Sequence, residues 1–209
     1  MYEHFVKRLL DKIISSIGIV FLALPISIIA IMIKFDSPGP VFFKQKRIGI
    51  NKKYFFIYKF RTMRIDTPKD TPTHLMKDPE KYITKIGKFL RKTSLDELPQ
   101  IYNILTGDMS IIGPRPALWN QDDLVAQRDK YGANSIKPGL TGLAQISGRD
   151  ELEITEKARL DGEYVKNMSF LFDCKCFFKT IFSILKSDGV VEGGTGSIRN
   201  KTQKGISKK

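Results

Sequence analysis

The hydrophobic pattern divides the chain into one long apolar stretch, two aromatic-rich segments, and shorter helical segments punctuated by glycine and proline. Ile13 to Ile33 (IISSIGIVFLALPISIIAIMI) runs for 21 residues without a charge. As a straight helix it would extend about 32 Å, enough to cross a bilayer. A buried soluble helix of this length carries polar positions at helical spacing, and a signal peptide has a shorter apolar core before a small-residue cleavage site. Neither pattern is present, so the stretch reads as membrane-inserted. Pro25, near its middle, removes a backbone hydrogen bond and kinks a helix. Lys7, Arg8 and Lys12 precede the stretch, and Lys34, Lys44, Lys46, Arg47, Lys52 and Lys53 follow it. Basic residues on both sides place both flanks in the cytoplasm. A bent helix that enters and leaves one leaflet satisfies both features; a kinked single span stays open from these residues alone.

Ser37-Pro38-Gly39-Pro40 ends any helix. VFFKQKRIG and YFFIYKFRTM then read as a β-hairpin, rich in aromatic and β-branched residues. Lys44, Lys46, Arg47, Lys59, Arg61 and Arg64 make this hairpin strongly basic, which beside a membrane suits phosphate head groups or a phosphorylated substrate. Asp66 to Pro79 is polar and holds three prolines, so a loop is expected. Lys81 to Lys92 carries Ile83, Ile86, Phe89 and Leu90 at helical spacing, and a second helix is expected from near Ser94 to about Leu105. Glu151 to Val165 also reads as a charged helix. Ser169 to Ser187 is dense in Phe, Leu and Ile but is interrupted by Asp173, Lys175, Lys179 and Lys186, so it cannot span. It is either an amphipathic helix in the membrane interface or a core helix under the domain. The tail from Glu192 is polar and basic, with the composition of a disordered segment.

The whole chain has 209 residues, 42% apolar and 11% aromatic, which suits one domain with a real core. Its 35 Lys and Arg against 22 Asp and Glu give a formal charge of +13. Such a charge calls for an anionic partner: nucleic acid, an acidic membrane surface or a phosphorylated substrate. The membrane segment argues against nucleic acid. Cys174 and Cys176 are the only cysteines, too few for a disulfide framework, and read as packing residues in a reducing compartment. Walker A, Rossmann, H-E-x-x-H and G-x-S-x-G patterns are absent, which argues against the common NTPase, hydride-transfer, zinc-protease and serine-hydrolase classes.

The most informative stretch is Arg91-Lys92-Thr93-Ser94-Leu95-Asp96-Glu97-Leu98-Pro99-Gln100. Ser94 followed by Glu97 has the spacing of a capping box, which puts Asp96 and Glu97 in a first helical turn, where anions are favoured and an ionised carboxylate is expected. Acidic first turns usually only stabilise a helix. Here basic residues precede the pair and an arginine framed by prolines follows it. An ionised Asp96 in a phosphate-binding cluster can attack phosphorus, and Glu97 can hold Mg²⁺ or move a proton. Pro114 and Pro116 stiffen the backbone around Arg115 and pre-organise a bidentate guanidinium for a diphosphate. Gly139-Leu140-Thr141-Gly142 through Gly148-Arg149 is a weaker cue, with Gln145 inside it and Arg149 able to pair with phosphate or stack on a base. Asp161 lies on an expected helix, where reaching a metal or a sugar hydroxyl competes evenly with a solvated helix face.

In this order the residues resemble the bacterial sugar transferases, the small monotopic phosphoglycosyl transferases that start capsule or glycan assembly. The elements that carry the resemblance are Lys7-Arg8 with Asp11, Ser37-Pro38-Gly39-Pro40, Tyr58-Lys59-Phe60-Arg61-Thr62-Met63, Ser94 to Gln100, and Gly107-Asp108-Met109-Ser110. Gly113 to Pro116, Lys137 to Gly142, Gly148-Arg149, and Asp161 before Tyr164-Val165 complete the series, from Lys7 to about Val191.

The resemblance implies a monotopic, mainly helical α/β fold with an N-terminal re-entrant helix broken at Pro25, a short β-hairpin and amphipathic interfacial helices. Residues 1–36 would form the membrane helix, 37–191 a cytoplasmic catalytic domain, and 192–209 a flexible basic tail, at the inner membrane of a bacterium. Asp96 would attack the β-phosphate of a UDP-sugar and release UMP, and undecaprenyl phosphate would take the phospho-sugar. Arg91, Lys59, Arg61, Arg115, Arg149 and Gln145 would hold phosphate or nucleotide, Glu97 and Asp161 would hold Mg²⁺, and Lys7, Arg8 and Pro25 would set the membrane interface. Membrane lipids, a homodimer and downstream glycosyltransferases are the further partners it implies. The family often breaks its helix at Ser-Pro; here Leu24 precedes Pro25 and Ser27 follows. Larger members carry spanning helices ahead of this domain, and none is expected here. The general look is that of capsule-initiating enzymes of Gram-positive bacteria, whose donors include UDP-N-acetylated deoxyhexosamines. The competing reading is a non-catalytic, membrane-anchored basic adaptor that binds anionic lipid or polymer. A glycosyltransferase moving sugar alone would instead release UDP.

Overall fold

The computed structural model describes residues 2–67, 78–148 and 152–186. A short π-helical turn over Tyr2–Val6 leads into α1, Lys7–Asp36, a helix of 30 residues and about 45 Å. Helical backbone carries through Pro25, so the break expected there is not present as an interruption of the helix. Two bend-promoting features remain at that point: Pro25 has no N–H to give, and Ser27 Oγ bonds back to the Ala23 carbonyl at 2.8 Å.

Helix α1 is long and apolar enough to cross a membrane, yet only 11% of its most apolar window is buried in the protein. That sets aside a buried core helix. Its protein-facing stripe is polar at one end: Lys7, Asp11 and Ser15, spaced four apart, are buried. Asp11 accepts a hydrogen bond from the Ile111 N–H at 3.0 Å. Farther along, a Cβ on Gly18 would meet Ile101 Cδ1 at 2.5 Å, so this glycine permits close packing on the domain. Ile29 and Ile33 pack with Phe60 and Leu90, and Asp36 accepts from the Ile86 N–H at 3.2 Å. Both ends of α1 therefore dock on the same domain.

Strands β1 (Phe42–Ile48) and β2 (Tyr54–Phe60) form the expected hairpin, with Phe42 opposite Phe60 and Ile48 opposite Tyr54. Asn51 and Lys52 in the turn take left-handed backbone, which Asn tolerates well. Helix α2, Lys85–Lys92, begins later than the apolar spacing predicts, because Thr84 Oγ1 caps it by accepting from the Gly87 N–H at 2.9 Å. A 3₁₀ turn over Pro79–Tyr82 precedes it. Of the predicted loop, residues 68–77 lie outside the described residues.

Leu95–Gln100 is a 3₁₀ turn, and α3 follows as Ile101–Thr106. The capping box is not formed: Ser94 is left-handed (φ 56°) and its side chain caps nothing. Pro99 lacks the N–H that would continue an α-helical ladder, so the regular helix starts only after it. Strands β3 (Ser110–Ile112) and β5 (Gly139–Thr141) pair in parallel, while β4 (Ala117–Leu118) extends the hairpin sheet in the order β2-β1-β4. Helices α4 (Asp122–Asp129), α5 (Leu143–Ser147), α6 (Ile154–Asn167) and α7 (Phe170–Lys186) complete the described chain. The architecture is α/β and mainly helical. In helix α7 Cys176 is fully buried, whereas Phe170, Leu171, Phe178 and Phe182 are exposed. Both cysteines are free.

Candidate active site

Asp96 and Glu97 lie on the 3₁₀ turn, which packs against β2. Asn103, fully buried on α3, fastens this arrangement to the strand: its Oδ1 accepts from the Tyr58 N–H at 3.1 Å and its Nδ2 donates to the Phe56 carbonyl at 2.8 Å. Lys59, one residue on, points at the two carboxylates. Its Nζ lies 2.6 Å from Glu97 Oε1 and 3.9 Å from Asp96 Oδ2. Arg115 closes the other side, with Nη2 2.7 Å from Glu97 Oε1. The side chains of Lys59, Asp96 and Glu97 are 14–17% exposed, whereas that of Arg115 is 40% exposed and faces outward.

The two carboxylates are driven apart in acidity. Burial raises the Asp96 pKa, the Lys59 charge opposes it, and the neighbouring Glu97 charge raises it further. Burial would raise Glu97 as well, but the charges and hydrogen bonds of Arg115 and Lys59 outweigh it and hold Glu97 well below the usual carboxylate range. The cations thus favour the ionised form of Glu97, while burial favours the protonated form of Asp96.

Arg91 adds positive charge toward Asp96 and donates through Nε to Thr62 Oγ1 at 2.9 Å. Pro114 and Pro116 are both buried and frame Arg115 as expected. The Pro114 carbonyl takes the Gly139 N–H at 2.8 Å, and the Pro116 carbonyl takes Arg47 Nη1 at 2.9 Å. Gln145 lies behind this loop; a Cβ on Gly142 would stand 3.1 Å from its Oε1.

Other predicted site residues are placed elsewhere. Arg61 is buried and donates to the carbonyls of Ser37 at 2.7 Å and Pro38, tying off the end of α1 instead of joining the carboxylates. Lys7 is buried against Asp173 at 2.5 Å and is not a surface lysine, while Arg8 is exposed. Asp161 is 1% exposed, and its Oδ2 is held by Arg128 at 2.6 Å. Arg149 lies outside the described residues.

Among the described residues, no group of three or more His, Cys, Asp and Glu side chains stands together as a metal cage. Glu97 Oε1 is held by both Lys59 and Arg115, whereas Asp96 Oδ2 stands 3.9 Å from Lys59 Nζ and is the less engaged carboxylate; Mg²⁺ is commonly held by one or two carboxylates together with substrate phosphates. Beside the pair, an apolar cleft of about 450 Å³ runs between α1 and the 3₁₀ turn. Leu22, Leu24, Pro25 and Ile28 form one wall, and Leu95 and Leu98, the neighbours of the carboxylate pair, form the other.

Residues 2–187, nearly all of this fold, match the pattern of the bacterial sugar transferases. The chain belongs to that family. It is 39% identical over 194 residues to the UDP-glucose:undecaprenyl-phosphate glucose-1-phosphate transferase of Escherichia coli (strain K12), covering 86% of this chain and 40% of that protein. It is 40% identical over 207 residues to the galactosyl transferase CpsE of Streptococcus agalactiae serotype III (strain NEM316), covering 90% of this chain and 44% of that protein. The uncharacterized sugar transferase EpsL of Bacillus subtilis (strain 168) is 42% identical over 159 residues, covering 76% and 77%. The chain thus spans about two-fifths of the length of the first two relatives.

Sequence reasoning did not find Arg128, Asp173 or Asn103. Their side-chain partners lie 9 to 171 residues away. Local periodicity gives no signal for contacts that distant.

Proposed function

We propose that this bacterial sugar transferase moves a sugar-1-phosphate from a UDP-sugar to undecaprenyl phosphate, through a phospho-sugar carried on Asp96. The observation that carries the reading is the largely buried carboxylate pair Asp96–Glu97 with Lys59 and Arg115 against it and the Arg91 charge nearby. Those cations suit a diphosphate. A carboxylate oxygen of Asp96 attacks the β-phosphorus, and the bond to the bridging oxygen breaks. UMP leaves with that electron pair, and Arg115 and Lys59 meet the charge that develops on the phosphate oxygens. A phosphate oxygen of the acceptor then attacks the same phosphorus and frees Asp96. When bound at the carboxylate pair, Mg²⁺ would offset the negative charge of the diphosphate.

The acceptor side rests on the apolar cleft. Its walls combine the membrane helix with Leu95 and Leu98, so a polyprenyl chain lying there would rest against the sequence neighbours of Asp96 and Glu97. Three features support a re-entrant α1 with its domain on the cytoplasmic face of the bacterial inner membrane. Both helix ends dock on one domain, both flanks are basic, and Pro25 with the back-bonded Ser27 weakens the helix near its middle. The exposed aromatic face of α7 suits the same interface. The transfer would be the first membrane step of capsule, exopolysaccharide or glycan synthesis.

The test is intact-protein mass after incubation with single UDP-sugars and Mg²⁺ in the absence of acceptor. The parent should gain one phospho-sugar, and Asp96→Asn should gain none. A parent that gains no adduct and releases no UMP until undecaprenyl phosphate is added would point to direct transfer and remove the covalent step.

A further inference from the structure

Asp161 and Arg128 lie behind the carboxylate site, yet they reach it through the backbone. Both are buried, at 1% and 5% exposure. Arg128 Nε donates to Asp161 Oδ2 at 2.7 Å, and Nη2 lies 2.6 Å from the same oxygen as an ion pair. Arg128 Nη2 also donates to the Arg115 carbonyl at 2.9 Å. At the next residue Arg47 Nη1 holds the Pro116 carbonyl at 2.9 Å, and its own Nη2 is steadied by Gln45 Oε1 at 2.7 Å. Two guanidiniums therefore grip consecutive carbonyls of the loop whose side chain, Arg115, reaches Glu97.

Stability is a weak reason for such a pair. Burying two charges costs several kcal/mol per ion, and apolar replacements of similar volume are often as stable or more so. What apolar residues cannot supply is a fixed donor for the Arg115 carbonyl. The Arg115 guanidinium is paired with Glu97 through both Nη atoms, and its side chain is 40% exposed, so a ligand can reach it while its backbone is clamped from behind.

We infer that Asp161 and Arg128 form a positioning pair for Arg115: Asp161 orients the Arg128 guanidinium, and Arg128 sets the Arg115 backbone for binding a nucleoside diphosphate. The inference rests on the reading of Asp96, Glu97 and Arg115 as the UDP-sugar site.

The test is a double-mutant cycle on the full chain in detergent, with Arg128→Lys, Arg115→Ala, their combination, and Asp161→Asn. A lysine at 128 keeps a cation opposite Asp161 but lacks the planar fork that reaches both partners. Three quantities are read: thermal midpoint, affinity for UDP with Mg²⁺ by calorimetry, and UMP release with KM for donor and acceptor taken separately. Arg128→Lys should weaken UDP binding and raise the donor KM about 10- to 100-fold, with the acceptor KM unchanged and the thermal midpoint near that of the parent. In the Arg115→Ala background the same change should have no further effect. Asp161→Asn, assayed well below its own midpoint, should repeat the loss of UDP affinity. Multiplying effects of Arg128→Lys and Arg115→Ala, or parental UDP affinity in Arg128→Lys, would overturn the positioning role while leaving the proposed reaction intact. A parent that binds no UDP would overturn both.

Discussion

Asp173 on α7 anchors the first turn of the membrane helix, and removing it should be costly in a predictable way. Its Oδ2 takes Lys7 Nζ at 2.5 Å and the Tyr2 hydroxyl at 2.6 Å, while its Oδ1 takes the Tyr164 hydroxyl at 2.6 Å. Lys7 and Asp173 side chains are 9% and 10% exposed, so solvent screens the pair little. Asp173→Ala leaves the Lys7 ammonium buried without a counter-charge, a loss of about 3–5 kcal/mol. The Tyr164 hydroxyl retains a fallback acceptor in the Ile112 carbonyl at 3.2 Å. For a chain of this size 1 kcal/mol moves the thermal midpoint about 2–4 °C, so the expected fall is roughly 6–20 °C. Removing both charges, as Lys7→Met with Asp173→Leu, should recover part of the loss, because no buried charge is then stranded. Thermal unfolding of the three proteins by circular dichroism in one detergent reads the differences. A midpoint for Asp173→Ala within about 2 °C of the parent, or a double variant no more stable than Asp173→Ala, would refute the reasoning.

Three further outcomes are expected. Asp96→Asn should be more stable than the parent at pH 7, since an acid whose folded pKa is raised opposes folding once ionised; the gap should close as pH falls toward the unfolded value of about 3.9, which denaturant titrations at neutral and acidic pH would read. Glu97→Gln removes a charge that raises the Asp96 pKa, so the acidic limb of the pH–rate profile should move to lower pH, and an unmoved limb would assign that limb to another group. Gly142→Ala would put a Cβ 2.0 Å from the Gly113 carbonyl oxygen, next to the Arg115 loop; a loss of about 1–3 kcal/mol is expected in chemical denaturation, together with reduced turnover.

The parts legible in the sequence were those with a local cause. Aromatic and β-branched segments around Asn51 formed the hairpin, and the uncharged run gave the exposed apolar helix. Asp96, Glu97, Lys59 and Arg115, each singled out from its own local segment, lie together in the structure. Long-range pairing decided the rest. Arg61 and Lys7, basic residues near a membrane, suggested surface roles, but folding committed one to backbone carbonyls and the other to Asp173. The pairing of Asp161 with Arg128 was not legible because Arg128 lies 33 residues away on another helix. The capping box failed for a local reason that outranked the motif: Pro99 cannot donate, and the turn tightened to 3₁₀.

The most direct measurement is the identity of the nucleotide released. Detergent-solubilised protein with Mg²⁺ and undecaprenyl phosphate would be supplied with a panel of UDP-sugars, and UMP and UDP assayed separately, with Asp96→Asn alongside. Phosphoglycosyl transfer predicts UMP from the parent with at least one donor and none from Asp96→Asn. Release of UDP instead, or UMP release that survives Asp96→Asn, would contradict it.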